Sequence, residues 1–360
     1  AGFVRPVAIP QRTYAAVGVR DDGLGRVRVA STFAAEPVEV SLDELDELFP
    51  TPSGTAPSVP EWAAYPLGVA WALRQADGVA PSAATGTGLD IAITSDVPVG
   101  AGLSSSAAIE SATASALNDL GAAGRERGGR ARGGRRAENE AGGAPTGIMD
   151  QMASMLGEPD AAIFLDCRSL DANLVQVGVA EADLAILVMD TRVKHAHSTG
   201  GYGERRAACE RGAAIMGVPS LRDVSIDDLP RAEKLMDDVT FRRVRHVVTE
   251  NQRVLDTVKV LREEGPRSIG DLLVASHASM RDDFEISVPE LDTAVEAALE
   301  AGALGARMTG GGFGGAAIAL IEQDAVQQVS DAVNAAFAAS GFAAPVIFTV
   351  IPSAGARRDA

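Results

Sequence analysis

The sequence predicts an α+β protein of two domains. Three observations carry this. A chain of 360 residues, 46% of them hydrophobic, can fill two cores. Apolar runs with a two-residue period alternate with runs at helical spacing throughout. In the second half, Leu184 to Met189, Ala316 to Ile321 and Val346 to Ile351 are apolar strands separated by helical segments, the pattern of an antiparallel sheet with helices on one face. The division is expected between Asp166 and Ala180, giving domains of residues 1–170 and 171–360.

Ala1 to Ile9 reads as extended chain. Thr13 to Val19 and Arg26 to Ser31 are β-rich runs flanking Arg20-Asp-Asp-Gly-Leu-Gly25, a hairpin signal. A short acidic piece, Leu42 to Leu48, and a loop with four prolines, Pro50 to Pro60, lead to a helix over Trp62 to Gln75. Leu89 to Thr94 is a half-buried strand. Ala107 to Leu120 is an Ala-rich helix with Ile109, Ala112, Ala116 and Leu120 along one side. Gly124 to Arg135 is rich in Gly and Arg and has no aliphatic residue larger than Ala, so it is expected to be an exposed loop or frayed helix. Strands follow at Ala161 to Asp166 and Leu174 to Val179. Helices follow at Gly203 to Met216, Phe241 to Leu261, Pro266 to Arg281, Pro289 to Glu300 and Asp324 to Ala339.

The most informative stretch is Asp96-Val-Pro-Val-Gly-Ala-Gly-Leu-Ser-Ser-Ser-Ala-Ala108, between a strand and a helix. Gly100 and Gly102 permit a tight turn and close approach of backbone N–H groups to a ligand. Ser104, Ser105 and Ser106 stand where the helix begins, beside the unpaired amides of its first turn. Two readings stand: a turn with a serine N-cap, or a phosphate cradle. Three consecutive serines exceed what capping requires and favour phosphate. No Gly-Lys-Ser/Thr follows, so the loop is not a Walker A loop, and the three-glycine dinucleotide fingerprint is absent.

A net charge of −17 argues against nucleic acid and against anionic membrane surfaces as partners. No apolar run reaches membrane-spanning length. Cys167 and Cys209 are too few for a disulfide framework or zinc site and fit buried thiols in a reducing cytosol. His195-Ala-His197 is a histidine pair without a third ligand nearby. A second glycine cluster, Gly310-Gly-Gly-Phe-Gly-Gly315, is either a turn between strands or a wall pressed against the phosphate loop. Phosphoryl transfer would further need oxygen ligands for a divalent cation and a carboxylate to orient the acceptor hydroxyl. Ser106, Glu138, Glu140 and Asp150 are the candidates, although local sequence alone favours a helix N-cap over a base for Asp150.

Pro98-Val-Gly-Ala-Gly-Leu-Ser-Ser-Ser-Ala-Ala108 resembles the second signature of the GHMP small-molecule kinases, and Met308-Thr-Gly-Gly-Gly-Phe-Gly-Gly315 resembles their third. Arg136-Ala-Glu-Asn139, Gly147-Ile-Met-Asp-Gln151 and Ser198-Thr-Gly-Gly-Tyr-Gly-Glu-Arg-Arg206 narrow the resemblance to the galactokinase family. It implies a two-domain fold with the active site in the cleft between a nucleotide-binding N-terminal domain and the C-terminal α+β domain. It implies ATP-dependent phosphorylation of the anomeric hydroxyl of D-galactose with Mg²⁺, by a cytoplasmic monomer. Gly100, Ala101, Gly102, Leu103, Ser104, Ser105 and Ser106 would wrap the ATP phosphates, with Ser31 near the nucleotide. Ser106 and Glu138 would ligate Mg²⁺, Asp150 would be the base or orienting group, and Tyr202 and Gly147 would contact the sugar. An N-acetylgalactosamine kinase and an inactive kinase-like sugar sensor are the alternatives.

Two departures from the family pattern stand out. The first signature, which supplies sugar-gripping residues, would precede Ala1, so the chain is expected to be a fragment of impaired activity. The family's amphipathic helix before the metal-binding glutamate is replaced by Gly124 to Arg135. Small residues stand at Ala141 and Gly142, so Glu138 is expected to be poorly anchored.

Overall fold

The structure is a computed structural model and describes residues 2–51, 55–77, 87–121, 124–144, 146–193 and 199–359. His195, His197 and Ser198 lie outside the described residues, as does part of the proline-rich loop.

The strands are β1 (Phe3–Val4), β2 (Thr13–Arg20), β3 (Arg26–Ser31), β4 (Val38–Ser41), β5 (Gly88–Ser95), β6 (Ala161–Asp166), β7 (Ala172–Gln176), β8 (Leu184–Asp190), β9 (Gly305–Met308), β10 (Ala316–Glu322) and β11 (Val346–Val350). The helices are α1 (Glu44–Leu48), α2 (Glu61–Asp77), α3 (Ser105–Leu120), α4 (Arg127–Arg136), α5 (Met149–Leu156), α6 (Thr199–Met216), α7 (Leu229–Leu235), α8 (Asp238–Glu263), α9 (Gly270–Ser279), α10 (Pro289–Glu300) and α11 (Val326–Ser340). A five-residue π-helical turn, Ala137–Ala141, follows α4 directly.

These elements form two interleaved units. One comprises residues 11–97, 104–157 and 354–360; the other comprises 1–10, 98–103 and 158–353. The expected division at residue 170 is continuous in sequence, whereas the observed units exchange both chain ends. The N-terminal segment joins the second unit because β1 pairs with β6 and Phe3 stacks on Phe164 at 5.5 Å. The tail joins the first unit because Gly355 N–H donates to Gly157 C=O and Ala356 N–H to Ser154 C=O.

In the unit of residues 11–97 and 104–157, the sheet order is β2-β5-β3-β4. The hairpin expected from β2 and β3 is not formed. The turn exists, with Gly23 and Gly25 at positive φ, but β5 lies between the two strands, antiparallel to β2 and parallel to β3. The reason is burial: Leu89, Ile91 and Ile93 of β5 are buried, and the centre of the sheet accommodates them. The expected stripe of α3 is likewise not its buried side. Leu120 is exposed and Ile109, Ala112 and Ala116 are half-buried, while Ala107, Glu110, Thr113, Ala114 and Leu117 are buried.

Gly124 to Arg135, expected to be loop or frayed helix, is ordered as α4 from Arg127 onward. Its glycines make the packing possible rather than prevent it. A Cβ at Gly134 would lie 3.3 Å from Gln151 Cγ and from Glu110 Cβ, and one at Gly133 would lie 3.4 Å from Leu73. Close approach replaces the large apolar side chains that the segment lacks.

In the other unit, β11-β8-β10-β9 form a wholly antiparallel sheet, as expected. Leu187, Met189, Leu291, Val295, Ala319, Ile321, Val333 and Phe337 build one core from sheet, α10 and α11. The segment expected as one helix over Pro266 to Arg281 is a 3₁₀ turn, then α9, then a π turn over Met280–Phe284.

Candidate active site

The site is built on the N-terminus of α3 and the turn that follows α4. Gly100 (φ 79°), Gly102 (φ 69°) and Ser104 (φ 60°) occupy the left-handed region at alternate positions, so the loop coils tightly into α3. For Ser104 this conformation is costly, on the order of 1–3 kcal/mol. Ala101 is buried, and Leu103 packs on Val188, Ala316 and Val350. The second glycine cluster meets this loop: a Cβ at Gly310 would lie 2.9 Å from Gly102 C=O. It is the wall that its composition suggested.

The serines do not cap α3 with their side chains; Ser104, the residue before the helix, makes no side-chain cap hydrogen bond. The Ser106 hydroxyl donates instead to Glu138 Oε1 at 2.9 Å, and the Ser104 side chain lies near Asp150, where it favours the charged carboxylate. The amides of the first turn of α3 thus stay available to an anion, without an acidic residue in that turn to compete.

Glu138 lies on the π turn and is 7% exposed. Thr146 Oγ1 and Gln151 Nε2 each donate to its Oε2 at 2.7 Å. The expectation of a loosely held Glu138 is therefore corrected: three donors fix it. The small residue at Ala141 is part of the reason, since Gly68 of α2 packs directly on Ala141 Cβ and brings the turn close to its neighbours. Glu140, two positions on, points the other way and pairs with Arg136 at 3.0 Å.

Asp150 is the second residue of α5, inside the helix rather than its N-cap. Burial pushes its carboxyl up to about 6, and the Glu138 charge adds to the shift, while Ser104 opposes it. Glu110 is fully buried on α3, one helical turn beyond Ser106, and burial followed by the charge on Glu138 holds its carboxyl well above the usual range. Gln151 Nε2 also donates to Glu110 Oε2 at 2.9 Å.

Ser106 Oγ and Glu138 Oε1 are hard oxygen donors whose separation, 2.9 Å, matches adjacent ligands of a small octahedral cation at about 2.0–2.1 Å from each. Among the described residues no group of three or more His, Cys, Asp or Glu could hold a metal. A cation here would take its other ligands from phosphate and water, as Mg²⁺ commonly does. The donor set fits.

The structure thus brings Ser104, Ser106, Glu138 and Asp150 into one hydrogen-bonded and electrostatically coupled group. Ser105 opens α3 beside them, and Gly147 is exposed just before α5. Ser31 ends β3, where its hydroxyl accepts from Phe33 N–H, and none of its hydrogen bonds reaches that group. Tyr202 lies on α6 and is 43% exposed. Sequence reasoning missed Glu110 and gave Gln151 no role. A carboxylate four residues after Ser106 on an otherwise small and apolar helix was the available signal.

Comparison with known proteins places these residues in a family. Residues 64–158 match the model of the GHMP kinases N terminal domain, and residues 257–339 match GHMP kinases C terminal. A galactokinase from Streptomyces coelicolor is 51% identical over 99% of this chain and 89% of that protein. One from Mycobacterium tuberculosis H37Rv is 41% identical over 99% of this chain and 93% of that protein. The crystal structure of Lactococcus lactis galactokinase complexed with galactose superposes with a TM-score of 0.89 and 32% identity, covering 98% of this chain and 89% of that one.

Proposed function

Because the chain belongs to the galactokinase family of GHMP kinases, we propose that it transfers the γ-phosphoryl group of ATP to the anomeric hydroxyl of D-galactose. The observation that carries the reading is the grouping of Ser106, Glu138 and Asp150 at the start of α3. Gly100 to Ser106 bind the triphosphate through backbone amides and hydroxyls, the α3 N-terminus adding its partial positive charge. Ser106 and Glu138 would hold Mg²⁺, which would supply positive charge to offset the negative charge of the transferred phosphoryl group. Asp150 accepts a hydrogen bond from the sugar hydroxyl, aims its oxygen in line with the γ-phosphorus and receives its proton. Tyr202 and Gly147 contact the sugar. The product is galactose 1-phosphate, and the reaction belongs to galactose catabolism.

A coupled assay of ADP release with galactose, N-acetylgalactosamine and glucose tests this. ADP formation with galactose, abolished in Asp150→Ala, is expected. Turnover of N-acetylgalactosamine alone would replace the substrate. Tight ATP and galactose binding without turnover would replace the enzyme with a sensor.

A further inference from the structure

We propose that Gln151, anchored by Glu110, is a positioning residue that aims the Glu138 carboxylate at Ser106. The inference rests on the phosphoryl-transfer reading above and deepens it.

Gln151 and Glu110 are both fully buried, on α5 and α3. The Gln151 amide nitrogen spends its two N–H groups on two carboxyl groups, Glu138 Oε2 at 2.7 Å and Glu110 Oε2 at 2.9 Å. Thr146 donates to the same Glu138 oxygen. With Oε2 engaged twice, Oε1 is the oxygen left to face Ser106. This restraint matters because Glu138 stands on a π-helical turn, not on a regular helix that would fix its direction by itself.

The chemistry of the donor is informative. An arginine or lysine at position 151 would hold Glu138 equally well but would cancel its charge and compete with a bound cation. A neutral amide fixes the oxygen and leaves the charge in place. The Gly-rich helix closes over the arrangement: α4 comes so near at Gly134 that even a Cβ there would lie 3.3 Å from Gln151 Cγ and Glu110 Cβ. The unusual composition of that stretch thereby finds its use in covering a polar clamp.

The test uses Gln151→Met, which keeps length but removes the amide; Gln151→Asn, which keeps the amide but shortens its reach; and Glu110→Met. Mn²⁺ affinity is measured by electron paramagnetic resonance with a non-hydrolysable ATP analogue, beside melting curves and the Mg²⁺ dependence of galactose phosphorylation. Each single variant is expected to weaken Mn²⁺ binding by about tenfold, the lower range for residues that orient a metal ligand. The double variant Gln151→Met/Glu110→Met should be little worse than the worse single, because both act through one chain of hydrogen bonds. The KM for galactose should stay within about twofold. Mn²⁺ affinities equal to wild type in variants that melt normally would overturn the clamp. Absence of galactose phosphorylation in a wild-type protein that binds Mn²⁺ and nucleotide would overturn the function proposed above, and leave the clamp measured on its own.

Discussion

A methyl group added to Gly310 would sit 2.9 Å from the carbonyl oxygen of Gly102. The two glycine clusters therefore touch backbone to backbone, and the conformation of the phosphate loop depends on a residue more than 200 positions away in the chain. Gly310 is also at φ 78°, where an L-residue is strained. Gly310→Ala is expected to raise the KM for ATP by roughly tenfold, the equivalent of about 1.4 kcal/mol, and to lower stability by about 1–3 kcal/mol. ATP saturation curves and denaturant midpoints read both effects. An unchanged KM for ATP would show that the loop tolerates the displacement.

The glycines of α4 should divide into two kinds. At Gly129 a Cβ meets only ordinary contacts, at 3.6–3.9 Å. Gly129→Ala is expected to stabilise the protein by about 0.5–1 kcal/mol through helix propensity. At Gly134 a side chain must enter the space held by Gln151 and Glu110, so Gly134→Leu should cost about 1–3 kcal/mol. Urea denaturation of the two variants is the measurement, and shifts of the same sign would contradict the packing described for α4.

His246 gives stability a pH dependence. It is buried on α8, hydrogen-bonded through Nδ1 to Ser279 Oγ at 2.9 Å and stacked on Phe284 at 4.4 Å. Burial lowers its pKa to about 4. In the unfolded chain an imidazole titrates near about 6.5. Between these values the unfolded state binds the extra proton, so stability is complete above about 6.5 and is lost as pH falls towards about 4, by roughly 3 kcal/mol from this group. His246→Gln should flatten the fall in urea midpoint between pH 7 and pH 4.5 relative to wild type. Parallel pH profiles for the two proteins would remove His246 as the cause.

Local sequence carried a large part of the fold. α8 and α10 stand where their helical spacing put them, and Leu89, Ile91 and Ile93 form the buried face of β5. The grouping of Ser104, Ser106, Glu138 and Asp150 follows from motifs that each lie within a dozen residues. Glu110 was hidden because α3 was read by its apolar stripe, and that stripe is not the face the protein buries. A helix made mainly of Ala, Ser and Thr has little hydrophobic contrast between its sides, so periodicity could not choose between them.

What the amino-acid order determined unaided was the presence of a phosphate loop between strand and helix, the glycines needed for its turns, and the family motifs around it. The neighbours of each element were decided only in three dimensions. β5 separates β2 from β3, α4 is a helix although half its first eight residues are glycine, and Gln151 links α5 to α3 and to the π turn. The reason is that propensity and turn chemistry act over a few residues, whereas burial and the pairing of buried polar groups compare partners far apart in the chain, and these long-range terms exceed the local ones where they conflict.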